Sequence, residues 1–298
     1  GLRDLVQATV REAGLRDRDL ACAVTSGMIT SEIGLLEIPH LWAPAGIDDL
    51  AAQVRRVRDP QVLPVDVELI FIPGIKNRYP ADASYREIRR VDFMRGEETQ
   101  IAGLLSLAGM PAPPLTAVVL SSHTKYIPVT ADGRIAGSLT TLSGQVFEAI
   151  RQGTSIGKSV EAPEAPPAAL DTAVVDTAYD AVIHAGFLRA LLMPRFMEVL
   201  LGVPASARRL FLDAAIGAED LQALRDFPLL GFSIDTPFVL IGPATRCAIF
   251  RYLLTRHAGA VREIREISEA EDVDRLSILG AVAVAHRAGC LEGVRDTR

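Results

Sequence analysis

The chain of 298 residues is short of several things at once, and each shortage excludes something. Its three cysteines, Cys22, Cys247 and Cys290, are odd in number and far apart, with no CxxC or Cys/His spacing. A disulfide framework and a zinc site are therefore not expected, and a reducing, cytoplasmic compartment fits. Aromatic residues are 5% of the chain, so the core must be built from Ala, Leu, Val and Ile. No uninterrupted apolar run approaches the ~18 residues of a membrane span. Gly1 to Gly14 read as an amphipathic helix of mixed charge, not as a signal peptide. Positive charge is in deficit as well: 31 Lys and Arg against 37 Asp and Glu leave a net charge of −6, with no basic cluster. Nucleic acid is not an expected partner, and an anionic ligand would need local donors in place of a global field. There is no G-x-S-x-G elbow and no G-x-x-x-x-G-K-[ST] loop. His184 has no second ligand at i+3 or i+4.

What is present is a large apolar fraction, 49%, with 23% charged residues, enough for one large or two medium globular domains. Leu2 to Ala13 carries a helical period. Ala21–Thr25, Val67–Ile72, Ala117–Leu120 and Pro237–Ile241 are short apolar runs that end in small or turn-forming residues, the pattern of buried strands. Asp132-Gly133 is a hairpin signal, so 115 to 141 reads as strand, turn, strand. Met110–Pro114 and Glu161–Pro167 are linker-like. A long helical region follows from Ala168 to about Asp226, and helices are expected over Arg246–Thr255 and Ser277–Ala288. Strands alternating with helices argue an α/β fold.

Four strand-to-loop junctions, 24–34, 69–76, 117–125 and 238–246, stand where open α/β sheets bind ligands. Gly242, ahead of a helix, either lets backbone approach a nucleotide closely or merely makes the turn. Ser122, Thr124 and Lys125 either hold phosphate oxygens or form a polar hairpin edge. His123 reads as a structural histidine. Asp92-Phe93-Met94-Arg95-Gly96-Glu97-Glu98-Thr99-Gln100 is the densest chemistry in the chain: three carboxylates, a guanidinium and a glycine ahead of the apolar run Ile101–Leu107. Burying such charges is costly unless each has a partner, which favours a site. A solvated helix N-terminus, with Glu97 and Glu98 favouring the helix dipole, is the other reading.

Met94-Arg95-Gly96-Glu97-Glu98-Thr99-Gln100, with Asp92 ahead of it, resembles the signature of the 2-dehydro-3-deoxygalactonokinase family. Further matches run in order along the chain. Ser26–Gly34 resembles the family's Gly-Met loop, and Ile38–Leu41 with Pro44-Ala45 the segment after it. Ile72–Ile75 resembles its Pro-Gly strand end, His123–Tyr126 its His-Ser-Lys-Trp element, Ser143-Gly144-Gln145 its Thr-Gly-Glu, and Leu240-Ile241-Gly242 its adenosine-side strand. The resemblance implies the two-domain actin/hexokinase-like (ribonuclease H-like) fold with an interdomain cleft. On this chain it implies an N-terminal α/β domain over 1–112, lacking the family's first strands. A nucleotide-side domain would occupy 113–298, with a helical insertion at 168–226 and a closing helix.

The implied reaction moves the ATP γ-phosphoryl group to a hydroxyl of 2-dehydro-3-deoxygalactonate with Mg2+. Such chemistry rests on positioning and charge neutralisation. The implied proton acceptor is Asp92, with Glu97 and Glu98 as alternatives or as Mg2+ holders through water. Gly27, Met28, Ser31 and Arg95 would meet the sugar acid, Arg95 as a bidentate carboxylate ligand or as the neutraliser of Glu97 or Glu98. Ser122, His123, Thr124, Lys125, Gly144 and Gly242 would meet the nucleotide. A small sugar acid and a nucleotide are the implied partners, and a homo-oligomer is compatible with them.

The chain also departs from the family. Its first residues resemble the family's first helix, downstream of the usual Asp-x-Gly-[Ser/Thr] phosphate loop, which would add on the order of 15 residues. Ser121-Ser122-His123 with Thr124 stands in place of Pro-Gly-Thr-His, and Gln145 in place of a glutamate. Either the chain continues upstream, or it is a divergent relative that binds or regulates without phosphorylating.

Overall fold

The computed structural model describes residues 2–59, 67–161, 170–259 and 262–291. The chain forms two compact units: Gly1–Pro113 with Val129–Ser138 and Asp274–Arg298, and Pro114–Pro128 with Leu139–Val273. Residues 274–298 thus group with the first unit, whereas the domain scheme read from the sequence sets them with the second.

In the first unit, α1 (Leu2–Glu12) lies where the helical period places it. β1 (Cys22–Thr25) pairs in parallel with β4 (Glu68–Phe71), and β3 (Arg55–Val57) pairs antiparallel on the far side of β4. Leu69 and Phe71 point into a small core with Ile38, Val6, Leu36 and Val57. A second sheet has the order β2-β5-β6, from Leu41–Trp42, Ile75–Lys76 and Phe93–Met94. β2 and β5 run parallel, β5 and β6 antiparallel, with Leu41 opposite Ile75 opposite Met94 and Trp42 opposite Lys76 opposite Phe93. The alternation of side chains along a strand gives the sheet two faces. Ile75 and Met94 are buried, while Trp42 is 43% and Phe93 59% exposed. Two helices complete the described part of this sequence, α2 (Ile47–Ala52) and α3 (Glu97–Leu104). Gly103 of α3 packs so tightly on the C-terminal helix that an added Cβ would lie 2.0 Å from the Leu276 carbonyl oxygen.

The second unit is a mixed five-stranded sheet with helices. Its order is β11-β10-β7-β8-β9, from Ile264–Ile267, Phe238–Ile241, Leu115–Leu120, Thr124–Val129 and Leu139–Thr141. β7, β10 and β11 are parallel, and β8 and β9 antiparallel. The expected single turn between two strands over 115–141 is corrected here. Three strands occupy the stretch, because Ser121–His123 closes a first tight turn and Asp132-Gly133 lies in the second connection. The Ser-Ser-His of that first turn carries neither glycine nor proline, the stronger turn signals.

Helices α4 (Ser143–Gly153), α5 (Ile156–Ser159), α6 (Thr172–Ala185), α7 (Phe187–Val199), α8 (Ala205–Gln222), α9 (Phe227–Leu230) and α10 (Ala244–His257) follow in order, and α11 (Ala270–Arg287) closes the chain. Val118, Leu120, Tyr126, Phe238 and Leu240 of the sheet meet Phe211, Ala214, Ala215 and Ala218 of α8 and Phe250 and Leu253 of α10 in one core. Alanine and aliphatic residues make up most of this core, but Tyr126, Phe211, Phe227, Phe238 and Phe250 are buried in it too, so the few aromatics concentrate here instead of leaving the core to Ala, Leu, Val and Ile. Residues 162–167 of the expected second linker lie outside the described residues.

Candidate active site

The first cluster is built around the turn from β6 into α3. Gly96 precedes the helix at φ +116°, and both oxygens of the Glu98 carboxylate accept its backbone N–H, at 2.9 and 2.8 Å. Thr99 Oγ1 donates to the same carboxylate. Glu98 is completely buried, and burial, followed by the neighbouring Glu97 charge, pushes its pKa up to about 7 against the pull of these hydrogen bonds. It is a cap inside the protein. Glu97 is half-buried and accepts the Arg95 N–H at 3.2 Å. Asp92 Oδ1 accepts from the Phe93 N–H at 2.6 Å and from Ser138 Oγ at 3.0 Å, and its backbone carbonyl accepts the Asn77 N–H. Asn77 in turn donates to the Ser138 carbonyl and accepts the Ser138 N–H, which fixes the hydroxyl that holds Asp92.

Arg95 fixes the cluster to the rest of the unit. Its Nη1 donates to the Thr30 carbonyl and hydroxyl, both at 2.6 Å, and its Nη2 to the Ile38 carbonyl at 2.9 Å, with His40 Nδ1 at 3.2 Å. The terminal nitrogens expected to clasp a substrate carboxylate are thus bonded to the protein's own chain, and they tie Arg95 to the end of the Gly27–Thr30 turn. That turn comes close: a Cβ on Gly96 would lie 3.4 Å from Gly27 Cα. Met28 stands 58% exposed beside it, whereas Ser31 is buried and donates to the Met28 carbonyl at 2.7 Å. Gly27, Met28, Ser31, Arg95, Glu97 and Glu98 are therefore brought together, with Asp92 at the start of the same β6 segment.

His40 and Gly74 were not among the expected residues. His40 flanks β2, Arg95 flanks β6, and Gly74 lies between them on the central strand's approach. A Cβ on Gly74 would sit 2.7 Å from His40 Cδ2, so the His40–Arg95 contact crosses the sheet only because residue 74 has no side chain. Burial first, then the Arg95 and Lys76 charges, push the His40 pKa down to about 4. The neutral ring accepts from Arg95 through Nδ1 and carries its proton on Nε2, a buried atom without a hydrogen-bond partner among the described residues.

The second cluster lies in the second unit, at the carboxyl ends of β7 and β10. Ser121–His123 is a tight turn, with the Ser121 N–H on the His123 carbonyl at 2.9 Å and Ser122 Oγ 3.1 Å from His123 Nδ1. Gly144 packs on it so closely that a Cβ would meet the Ser121 carbonyl oxygen at 2.3 Å, and the Gln145 N–H at the start of α4 donates to the Ser122 carbonyl. Gly242 packs closely on Leu120 too: a Cβ there would lie 2.5 Å from the Leu120 carbonyl oxygen. The turn is held from below by Asp220 of α8, a buried carboxylate accepting from Ser143 Oγ at 2.7 and 2.5 Å and from Thr141 Oγ1 at 2.5 Å. Thr124 Oγ1 lies 3.0 Å from Ser143 Oγ. Burial raises the Asp220 pKa, and these hydroxyls oppose the rise. Arg246, from the first turn of α10, donates to the Ser121 carbonyl at 2.5 Å and to Thr124 Oγ1 at 3.1 Å.

The expected nucleotide residues therefore divide. Ser122, His123, Gly144 and Gly242 surround one strand end. Thr124 is buried and already bonded, and Lys125, 7% exposed, donates to Thr140 Oγ1 at 2.9 Å inside the sheet instead of standing in solvent. Asp220 and Arg246 escaped the sequence reading because they lie 77 and 125 residues along the chain from the groups they hold, Ser143 and Ser121.

A family model described as 2-keto-3-deoxy-galactonokinase matches residues 2–273 of the chain. A probable 2-dehydro-3-deoxygalactonokinase of Rhizobium meliloti (strain 1021) is 27% identical over 137 residues, which are 46% of this chain and 40% of that protein. The chain thus matches less than half the length of that relative. A crystal structure of a candidate 2-dehydro-3-deoxygalactonokinase from Sinorhizobium meliloti superposes with a TM-score of 0.72 at 22% identity, covering 95% of this chain and 84% of that one, and shares its fold.

Proposed function

The chain belongs to the 2-keto-3-deoxy-galactonokinase family, and on that premise we propose that it transfers the γ-phosphoryl group of ATP to a hydroxyl of 2-dehydro-3-deoxy-D-galactonate. The observation that carries this reading is the packing of the Arg95-Gly96 turn on the Gly27–Thr30 turn, with Asp92 held by Ser138 at the head of the same segment. Asp92 accepts the proton of the attacking hydroxyl. Its orientation is set by the Phe93 N–H and the Ser138 hydroxyl, so a hydroxyl approaching it meets a carboxylate already in place. Glu98 is too buried to take this role and Glu97 is its remaining competitor. Gly27 and Met28 line the substrate side, and Arg95 positions them.

Bound ATP would supply the transferable group. At the strand-end turn, the hydroxyls of Ser121 and Ser122 are exposed and Arg246 is only half-buried, a small donor set that fits a polyanion. The contributions expected of Thr124 and Lys125 do not fit, since both side chains are engaged within the unit. The family also implies Mg2+. An ion carried on phosphate oxygens needs only one or two carboxylates, and no residue of this chain is assigned to it. The locked state of Thr124 and Lys125 favours one second reading, a protein that binds the sugar acid without phosphorylating it.

A coupled ADP-release assay on the full-length protein, with ATP, Mg2+ and 2-dehydro-3-deoxygalactonate, tests the proposal. Turnover that depends on the sugar acid is expected. Absence of turnover, with the sugar acid still bound, would overturn it in favour of the second reading.

A further inference from the structure

The exposed face of the β2-β5-β6 sheet carries a row that neither the family resemblance nor the sequence motifs single out. Trp42, Lys76 and Phe93 are register partners across the three strands, so their side chains leave the same face. The Lys76 ammonium sits 3.9 Å from the centroid of the Trp42 ring. Tyr79 meets the same indole edge-on at 4.9 Å, which holds the ring in place. Phe93 is packed edge-on against His40 at 5.2 Å, which sets the other end of the row. Two of the three members remain largely open to solvent, at 43% and 59% exposure, in a chain with few aromatics and one tryptophan. The next row down has Gly74 at its centre, so the floor beside Lys76 is low.

We propose that this row is the recognition platform for the sugar acid, with its carboxylate on the Lys76 ammonium and its carbon chain laid against the Trp42 and Phe93 faces. A cation between two aromatic surfaces suits an anionic head on a chain of C–H groups. Arg95, the carboxylate ligand implied by the family motif, is occupied by Thr30, Ile38 and His40, which leaves Lys76 as the cation that faces outward from this sheet. The inference rests on the sugar-acid reading above for the identity of the ligand.

Because Trp42 is the single tryptophan, its fluorescence reports on the platform without any nucleotide. Titration with 2-dehydro-3-deoxygalactonate is expected to give a saturable change, with galactose, which lacks the carboxylate, giving none. Lys76→Met should raise the apparent Kd at least ~10-fold, the loss of one charge-assisted bond, with an unchanged circular dichroism spectrum. Phe93→Ala should raise it less. Catalytic turnover with no saturable change at Trp42, or equal affinity in Lys76→Met, would overturn the platform while leaving the kinase reading intact. Saturable, Lys76-dependent binding without turnover would uphold the platform and overturn the kinase reading. Equal response to galactose would overturn the assignment of the carboxylate to Lys76.

Discussion

The turn at Arg95-Gly96 and the turn at Ser121–His123 are both close-packed against a glycine from elsewhere in the chain, Gly27 in one case and Gly144 in the other. Their outcomes differ. Around the first, the buried acid Glu98 and the guanidinium of Arg95 are turned inward, Asp92 is half-buried and held by Ser138 and the Phe93 N–H, and the Met28 and Phe93 side chains are exposed. Around the second, Thr124 is engaged by Ser143 and Arg246, Lys125 by Thr140 and the Gln145 N–H by Ser122, while the Ser121 and Ser122 hydroxyls stay exposed. The same device, a glycine packed against a turn, turns different groups inward in the two units: an acid and a guanidinium in one, a threonine hydroxyl and an ammonium in the other. Polar groups buried together must find partners, and the partners decide which groups remain for a ligand.

The largest test of this contrast is Asp92→Asn. It keeps an acceptor for Ser138 and the Phe93 N–H but cannot take a proton. A loss of roughly 10²- to 10⁴-fold in kcat is expected, with KM nearly unchanged, measured by the coupled assay. An unchanged kcat would move the role to Glu97.

Next in size is Glu98→Gln, read through pH. The folded-state pKa of Glu98, about 7, lies above its ordinary 4.5. Its neutral form is the one the fold favours, so its contribution is complete below 4.5 and is lost as pH rises through 7. At 1.36 kcal/mol per unit, the wild-type protein should lose about 3 kcal/mol across that window through this group. Glu98→Gln, neutral throughout, should lose none of it. Parallel pH slopes for the two proteins in urea denaturation would show that Glu98 is not the inward-turned acid described above.

Gly144→Ala attacks the other turn. The new Cβ would have to share space with the Ser121 carbonyl oxygen at 2.3 Å, and backbone must shift. A destabilisation of about 1–3 kcal/mol is expected from such overpacking, visible as a lower urea midpoint. No change would mean that the turn is looser than its packing implies. The smallest effect is that of Arg246→Met. Removing two donors from a half-exposed position should cost about 1 kcal/mol of stability, and ATP should bind ~10-fold more weakly if this guanidinium meets phosphate. Unaltered ATP affinity would leave Ser121 and Ser122 as the turn's nucleotide contacts.

Much of the scaffold is legible in the letters because it is local. The apolar runs at Val67–Ile72, Ala117–Leu120 and Pro237–Ile241 became β4, β7 and β10, and the helical period near the N-terminus became α1. β11 was missed because Ile264-Arg265-Glu266-Ile267, at a sheet edge, places two adjacent charges between its isoleucines and shows neither an apolar run nor strict alternation. The two-residue strands β2, β5 and β6 exist only through their pairing, so no local pattern could announce them. The Asp92–Gln100 motif is legible as a candidate site, but which of its carboxylates is buried is not. Glu97 and Glu98 are adjacent and chemically alike, and only the fold sends one into the interior.

By itself, the sequence determined the α/β class, the family, and the neighbourhood of the candidate site, since these follow from periodicity and from ordered short motifs. Tertiary structure decided which carboxylate is buried, that Arg95 is committed to Thr30, Ile38 and His40, and that Lys125 lies inside a sheet. It also decided that Trp42, Lys76 and Phe93 form one row. These choices depend on partners 15 to 65 residues away along the chain, and a charge's environment is set by what surrounds it in space, which local sequence does not specify.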